Sequence, residues 1–151
     1  SQTMKELKRL GLISATASFE LKLAQIRDLS KAIPTELIAY GRLPLMITEN
    51  CIIHNHSGQH TCSNVNLLTD RKGEWFPVVQ AYGCRNEILN SKKLFLADRT
   101  QDYGRLGLWA ARLMFTTENA MECAQVLERY LGQGSYQPNE YTRGLYYRDV
   151  E

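Results

Sequence analysis

The chain has 151 residues, 44% hydrophobic and 23% charged, with 18 Lys and Arg against 16 Asp and Glu for a formal net charge of +2. That length builds one ordinary domain, the composition excludes an intrinsically disordered polypeptide, and the near balance of charge excludes a dedicated polycationic nucleic-acid binder. No apolar run approaches the roughly 18–20 residues that span a bilayer, and the opening Ser-Gln-Thr-Met-Lys-Glu lacks the apolar centre of a secretory signal, so no membrane partner and a cytoplasmic setting are expected.

Met4, Leu7 and Leu10 recur at helical spacing and the pattern stops at Gly11, which predicts a helix over 3–10. Ile13 to Phe19 predicts a short strand. Leu21, Leu23, Ala24, Ile26 and Leu29 then form the apolar stripe of a helix from Glu20 to Ala32, closed by Pro34. Glu36 to Tyr40 predicts a second strand, stopped by Gly41. Helix, strand, helix, strand is the order of a parallel sheet with crossover connections. Two strands do not make such a sheet alone. The expected fold class is therefore α/β, with residues 1–46 as closing strand–helix units of a TIM-like barrel and residues 47–151 as an α+β extension that carries the cysteines. The partner this implies is an N-terminal barrel of the same protein, upstream of a chain that does not open on Met. Exposed strand edges predict a homo-oligomer or swapped dimer for the chain on its own.

Beyond Gly41, residues 50–65 are rich in Asn, His, Ser and Gly and predict a loop. Val65 to Asp70 and Trp75 to Tyr82 read as strands joined through Arg71-Lys72-Gly73 as a hairpin, with Trp75 and Trp109 expected in the core. Lys93 to Ala97 and Gly107 to Phe115 predict further strands. Thr116-Thr117-Glu118 is suited to cap a helix running to about Leu131, followed by a loop from Gly132 to Pro138.

The four cysteines fall as Cys51-x10-Cys62, Cys62-x21-Cys84 and Cys84-x38-Cys123. No C-x2-C knuckle occurs, so the usual zinc-finger pattern is absent. Long intervals fit ligands brought from separate elements, and four thiolates are what an iron–sulfur cluster or tetrahedral zinc requires. Buried thiols satisfy the same spacing. Cys123 shares a helical face with Ala120, Leu127 and Tyr130, which predicts an inward thiol. His54, His56 and His60 lie between the first two cysteines, as solvated loop imidazoles or as members of a mixed Cys/His site. The basic pairs Lys8-Arg9, Arg71-Lys72 and Lys92-Lys93, with several tyrosines, describe either a solvated face or a surface for RNA.

Glu36-Leu37-Ile38-Ala39-Tyr40-Gly41-Arg42-Leu43-Pro44-Leu45-Met46 resembles the central motif of the collagenase-like peptidase family U32, in which a strand glutamate leads to a glycine and then to a cysteine-containing loop. Leu68-Thr69-Asp70-Arg71, Gly83-Cys84-Arg85-Asn86 with Leu89-Asn90-Ser91, and Thr142-Arg143-Gly144-Leu145-Tyr146 extend the resemblance, which is nearest to the C-terminal half of long bacterial members. The chain departs from the commonest signature in delaying its first cysteine to position 51. The resemblance implies ligand roles for Cys51, Cys62, Cys84 and Cys123 around one [4Fe-4S] cluster, with Zn as the alternative. It implies catalytic roles for Glu36 and Arg42, with Glu36 near the C-terminal mouth of a barrel strand. Substrate contacts are implied for Arg71, Arg85, Asn90 and Arg143. Relatives that hydroxylate RNA or quinone precursors make an RNA-modifying enzyme the expected function; a collagenase-like protease and a structural four-cysteine zinc module are the alternatives.

Overall fold

The computed structural model describes residues 2–59, 61 and 65–148. In chain order these form α1 (Gln2–Arg9), β1 (Ala15–Thr16), α2 (Leu23–Asp28), β2 (Thr35–Gly41), β3 (Pro44–Thr48), α3 (Ile52–Ser57), β4 (Asn66–Thr69), β5 (Trp75–Ala81), β6 (Arg85–Leu89), β7 (Lys93–Phe95), α4 (Thr100–Gly104), β8 (Ala110–Met114), α5 (Ala120–Tyr130) and β9 (Tyr141–Thr142). The class is mixed α/β, as expected, and the described strands make two open sheets and no closed barrel.

β2 is the centre of the larger sheet, and all seven of its residues are buried. β8 runs parallel to it from Glu36↔Ala110 to Gly41↔Met114 and occupies one whole edge. The other edge is shared: β1 pairs parallel with Thr35 and Glu36, whereas β7 pairs antiparallel with Tyr40 and Gly41, and β9 follows beyond β7. β1, α2 and β2 thus form the expected parallel crossover unit. Strands from residues 93–95, 110–114 and 141–142 join the sheet that residues 15–41 begin, so it draws on both sides of residue 46. The middle of β2 has neither β1 nor β7 beside it, and its register against β8 shifts between Ile38 and Tyr40. Two tyrosine hydroxyls satisfy the carbonyls there: Tyr146 donates to Ile38 O at 2.7 Å and Tyr130 to Ala39 O at 2.6 Å. Buried backbone acceptors must find such donors, and aromatic residues supply them without breaking the core of Ile26, Leu37, Leu94 and Leu96.

The smaller sheet, β3-β6-β5-β4, is an antiparallel meander. The expected hairpin is present, with Leu68 opposite Phe76 and Gly73 at φ 82° in its turn. β2–β3 and β6–β7 together form one antiparallel ribbon that passes from one sheet to the other. Between the pairs Gly41↔Leu94 and Pro44↔Leu89 the two chains differ in length, and this irregular stretch is the joint between the sheets.

Several expectations need correction. The strand expected over Ile13–Phe19 contracts to two residues, and Ile13 is exposed. The helix expected from Glu20 to Ala32 is limited to Leu23–Asp28, because Leu29 turns extended and Lys31 Nζ takes the Ile26 and Leu29 carbonyls that another turn would have used. The loop expected at 50–65 contains α3. Trp75 and Trp109 are exposed rather than core. The cap of α5 is Asn119, whose side chain accepts from Glu122 N while Glu122 returns a bond to Asn119 N. The buried residue of that helix is Val126; Cys123 and Tyr130 are half-buried beside it, whereas Leu127 is exposed.

Candidate functional site

Thr48 on β3 faces Asn86 on β6. Cys51 lies three residues beyond Thr48 and Cys84 two residues before Asn86, so both cysteines belong to one end of the small sheet. Cys51 is buried at the N-terminus of α3, where its Sγ accepts a hydrogen bond from His54 N at 3.4 Å. Asn86, fully buried, accepts from Ile52 N through Oδ1 at 2.8 Å. One sulfur and one amide oxygen therefore answer N–H groups that open α3. The other amide atom of Asn86, Nδ2, is buried with no hydrogen-bond partner. Cys84 follows Gly83 into the left-handed region at φ 62° and is half-buried. Non-glycine residues adopt that conformation at a cost, and such positions concentrate at functional sites.

Thiolates bind soft and borderline metals, so the thiols at this end are the ones to weigh. The described thiols there are two. Cys62 and His60 lie outside the described residues. His54 is half-buried and His56 exposed, both on α3. Cys123 is elsewhere: its neighbour Glu122 approaches Lys93 at 3.6 Å, and Lys93 begins β7, whereas Cys84 precedes β6. Among the described residues no three His, Cys, Asp or Glu side chains stand together as a metal site.

The remaining sequence candidates are spread over the fold. Glu36 sits at the N-terminal end of β2, not at the C-terminal end expected of it. Its carboxylate is buried and bonded to Thr16 Oγ1 at 2.5 Å and Arg112 Nε at 2.7 Å. The Thr16 hydroxyl, with help from Arg112, holds that carboxyl below its ordinary pKa against the opposing effect of burial. Arg42, just past β2, donates through Nη1 to the carbonyls of Asn90 and Ser91 and through Nε to Thr117 Oγ1. It locks the irregular stretch of the ribbon. Asn90 is a turn residue: its N–H donates to Leu43 O and its Oδ1 accepts from Lys92 N. Arg143 makes a two-pronged bond to Asp98 at 2.6 and 2.7 Å, donates to Phe95 O and stacks on Tyr141. Arg85 pairs with Glu49 at the surface, and Arg71 is exposed in the hairpin turn.

A cluster the sequence did not single out lies at the C-terminal ends of β2 and β8. The Glu118 side chain is wholly buried and receives Thr116 N, Thr117 N, Tyr40 OH and, at 3.0 Å, Lys93 Nζ. Burial would raise the Glu118 pKa, but the Thr116 amide and Lys93 outweigh it and the net direction is down. Lys93 moves up, because Glu118 outweighs its own desolvation. The available signal was a charge, Lys93, at the head of the apolar run Leu94-Phe95-Leu96-Ala97.

Comparison of the chain with protein-family models, with curated proteins and with solved structures finds no match.

Proposed function

We propose that the chain is the closing part of a U32-type α/β protein, with Cys51, Cys62, Cys84 and Cys123 serving one metal centre, [4Fe-4S] first and zinc second. In this reading the whole protein hydroxylates or otherwise modifies RNA. The observation that carries it is the placement of Cys51 and Cys84 at the same end of the small sheet, with a hydrogen bond on the first sulfur and left-handed backbone at the second. The parallel β1–α2–β2 unit is in keeping with an α/β body continued by further strands. A redox cluster supplies single electrons, which hydroxylation uses and peptide hydrolysis does not. Tyr82, 95% exposed, and Trp75, at the two ends of β5, offer stacking faces near Arg71, Lys72 and Arg85, in keeping with an RNA substrate. A four-thiolate centre would further require α5 and the small sheet to approach each other across the joint at Arg42.

Anaerobic purification followed by iron, sulfide and zinc analysis tests the proposal. About four irons and four sulfides per chain, lost in Cys51→Ala, Cys84→Ala and Cys123→Ala, is the expected outcome for a four-thiolate cluster. Stoichiometric zinc without a chromophore would leave the structural module. Absence of any metal would overturn the centre.

A further inference from the structure

β2 and β8 are parallel and end together at Gly41 and Met114, and β7 starts at the same end because it is antiparallel to β2. In α/β sheets the crevice beyond the carboxyl ends of parallel strands is where ligands sit. Here that position holds a cleft of about 390 Å³, lined among others by Arg42, Ser91, Lys93, Glu122, Tyr136 and Glu140. Its size is at the lower end of small-ligand sites.

The charges in the cleft are not equivalent. Lys93 is answered by Glu118 at 3.0 Å and Glu122 at 3.6 Å. Arg42 has no carboxylate partner among the described residues; its Nε and Nη1 are held by a hydroxyl and two backbone carbonyls. The guanidinium is thus fixed in orientation and retains its charge and its Nη2 donor for an incoming anion. The other polar lining groups are the Glu122 carboxylate, the Glu140 carboxylate at 3.6 Å from Lys92, the Tyr136 hydroxyl beside that of Tyr40, and the Asn139 amide. The remaining lone pairs and N–H groups of this set suit hydroxyl groups. An anion charged along its whole length would meet those carboxylates, and a neutral sugar would leave Arg42 unanswered. We infer that the cleft at the carboxyl ends of β2 and β8 binds a sugar monophosphate, with phosphate on Arg42 and sugar hydroxyls toward Glu122 and Glu140. None of these residues is a cysteine, so binding here can be tested without any metal bound.

Isothermal titration of the full chain with ribose 5-phosphate, inorganic phosphate, ribose and gluconate tests it. Ribose 5-phosphate is expected to bind one to one and at least about tenfold more tightly than any of the other three. Arg42→Met should weaken it by about tenfold or more. Because Arg42 also holds the ribbon, Glu140→Ala on the exposed loop is the control: it should weaken ribose 5-phosphate, leave inorganic phosphate unchanged and preserve the circular dichroism spectrum. Tighter binding of gluconate, no saturable binding of ribose 5-phosphate, or equal affinity in a folded Arg42→Met variant would each overturn the assignment.

Discussion

The guanidinium of Arg112 on β8 reaches across the parallel pair to the carboxylate of Glu36 on β2, with Nη2 at 2.5 Å and Nε at 2.7 Å from the same oxygen. Glu36 is 10% exposed and Arg112 50%, so the pair lies at the rim of the sheet with its acid inside and its base outside. Removing the acid charge lets Arg112 return to water, which moderates the loss. Glu36→Gln should cost about 1–2 kcal/mol in urea denaturation, well short of a fully buried pair. A loss of about 4 kcal/mol or more would mean that the pair organises far more than this end of β2.

Acid should find the same weakness in three places. Glu36, Asp98 and Glu118 all have folded pKa values below their ordinary ones of 4.5, 3.8 and 4.5. A depressed folded pKa gives stability that is complete above the unfolded value and lost as pH falls through the folded one. The urea midpoint should therefore be level from neutrality down to about pH 5 and fall below about pH 4.5. Glu118→Gln, which leaves Lys93 with Glu122 alone, should flatten part of that acid limb and cost about 2–3 kcal/mol at pH 7. An acid limb unchanged by that substitution would remove Glu118 from the account.

Part of this organisation is legible in the sequence. The parallel unit follows from the apolar spacing of α2 and the unbroken Leu37-Ile38-Ala39-Tyr40 run, and the 71–73 turn is marked by Arg-Lys-Gly between alternating segments. What escaped depends on contacts far apart in the chain. β3 lacks an alternating period because its apolar residues Leu45, Met46 and Ile47 follow one another and are all exposed, so neither face is marked as the buried one. The structural partners of Arg42 and Arg143 were not legible, because an arginine beside a glycine reads the same in sequence whether or not it also holds a backbone carbonyl or a distant carboxylate. Their partners, Asn90 O and Asp98, lie more than forty positions away. The placement of Cys51 and Cys84 at one end of the small sheet likewise follows from the β3–β6 register, which no local pattern specifies.

Asn86 provides a local test of that register. Its Oδ1 holds Ile52 N at the start of α3, directly after Cys51. Asn86→Ala orphans that donor and opens a void at a fully buried site, at a cost of about 2–3 kcal/mol. Hydrogen exchange should accelerate first at Ile52 and His54, with the strands of the larger sheet unaffected. Uniform acceleration across both sheets would contradict a local role.

Arg143 distinguishes geometry from charge. It reaches two oxygens of Asp98 and the carbonyl of Phe95 at once, and a lysine ammonium cannot span that set. Arg143→Lys should therefore lose most of what Arg143→Ala loses, about 1–2 kcal/mol by chemical denaturation. Full retention of stability by the lysine variant would show that only the charge matters.

Gly41 carries the most severe constraint. Its φ is 122°, and a Cβ there would stand 2.1 Å from the carbonyl oxygen of Met114 and 2.8 Å from its Cβ. The obstacle is the backbone of β8, so relief requires β2 and β8 to separate at the point where Arg42 and Lys93 are positioned. Strain and overpacking together should make Gly41→Ala cost about 3–5 kcal/mol, a large share of the roughly 5–15 kcal/mol that holds a domain folded. Gly73 is the control, because it too has positive φ, 82°, but nothing stands within 4 Å of its would-be Cβ. Gly73→Ala should cost only about 1–2 kcal/mol, the conformational penalty alone. At about 2–4 °C per kcal/mol for a chain of this size, calorimetry should place the Gly41 variant several degrees below the Gly73 variant. Equal melting temperatures would mean that β8 yields at Met114 and that the close approach of the two strands is not what fixes this end of the sheet.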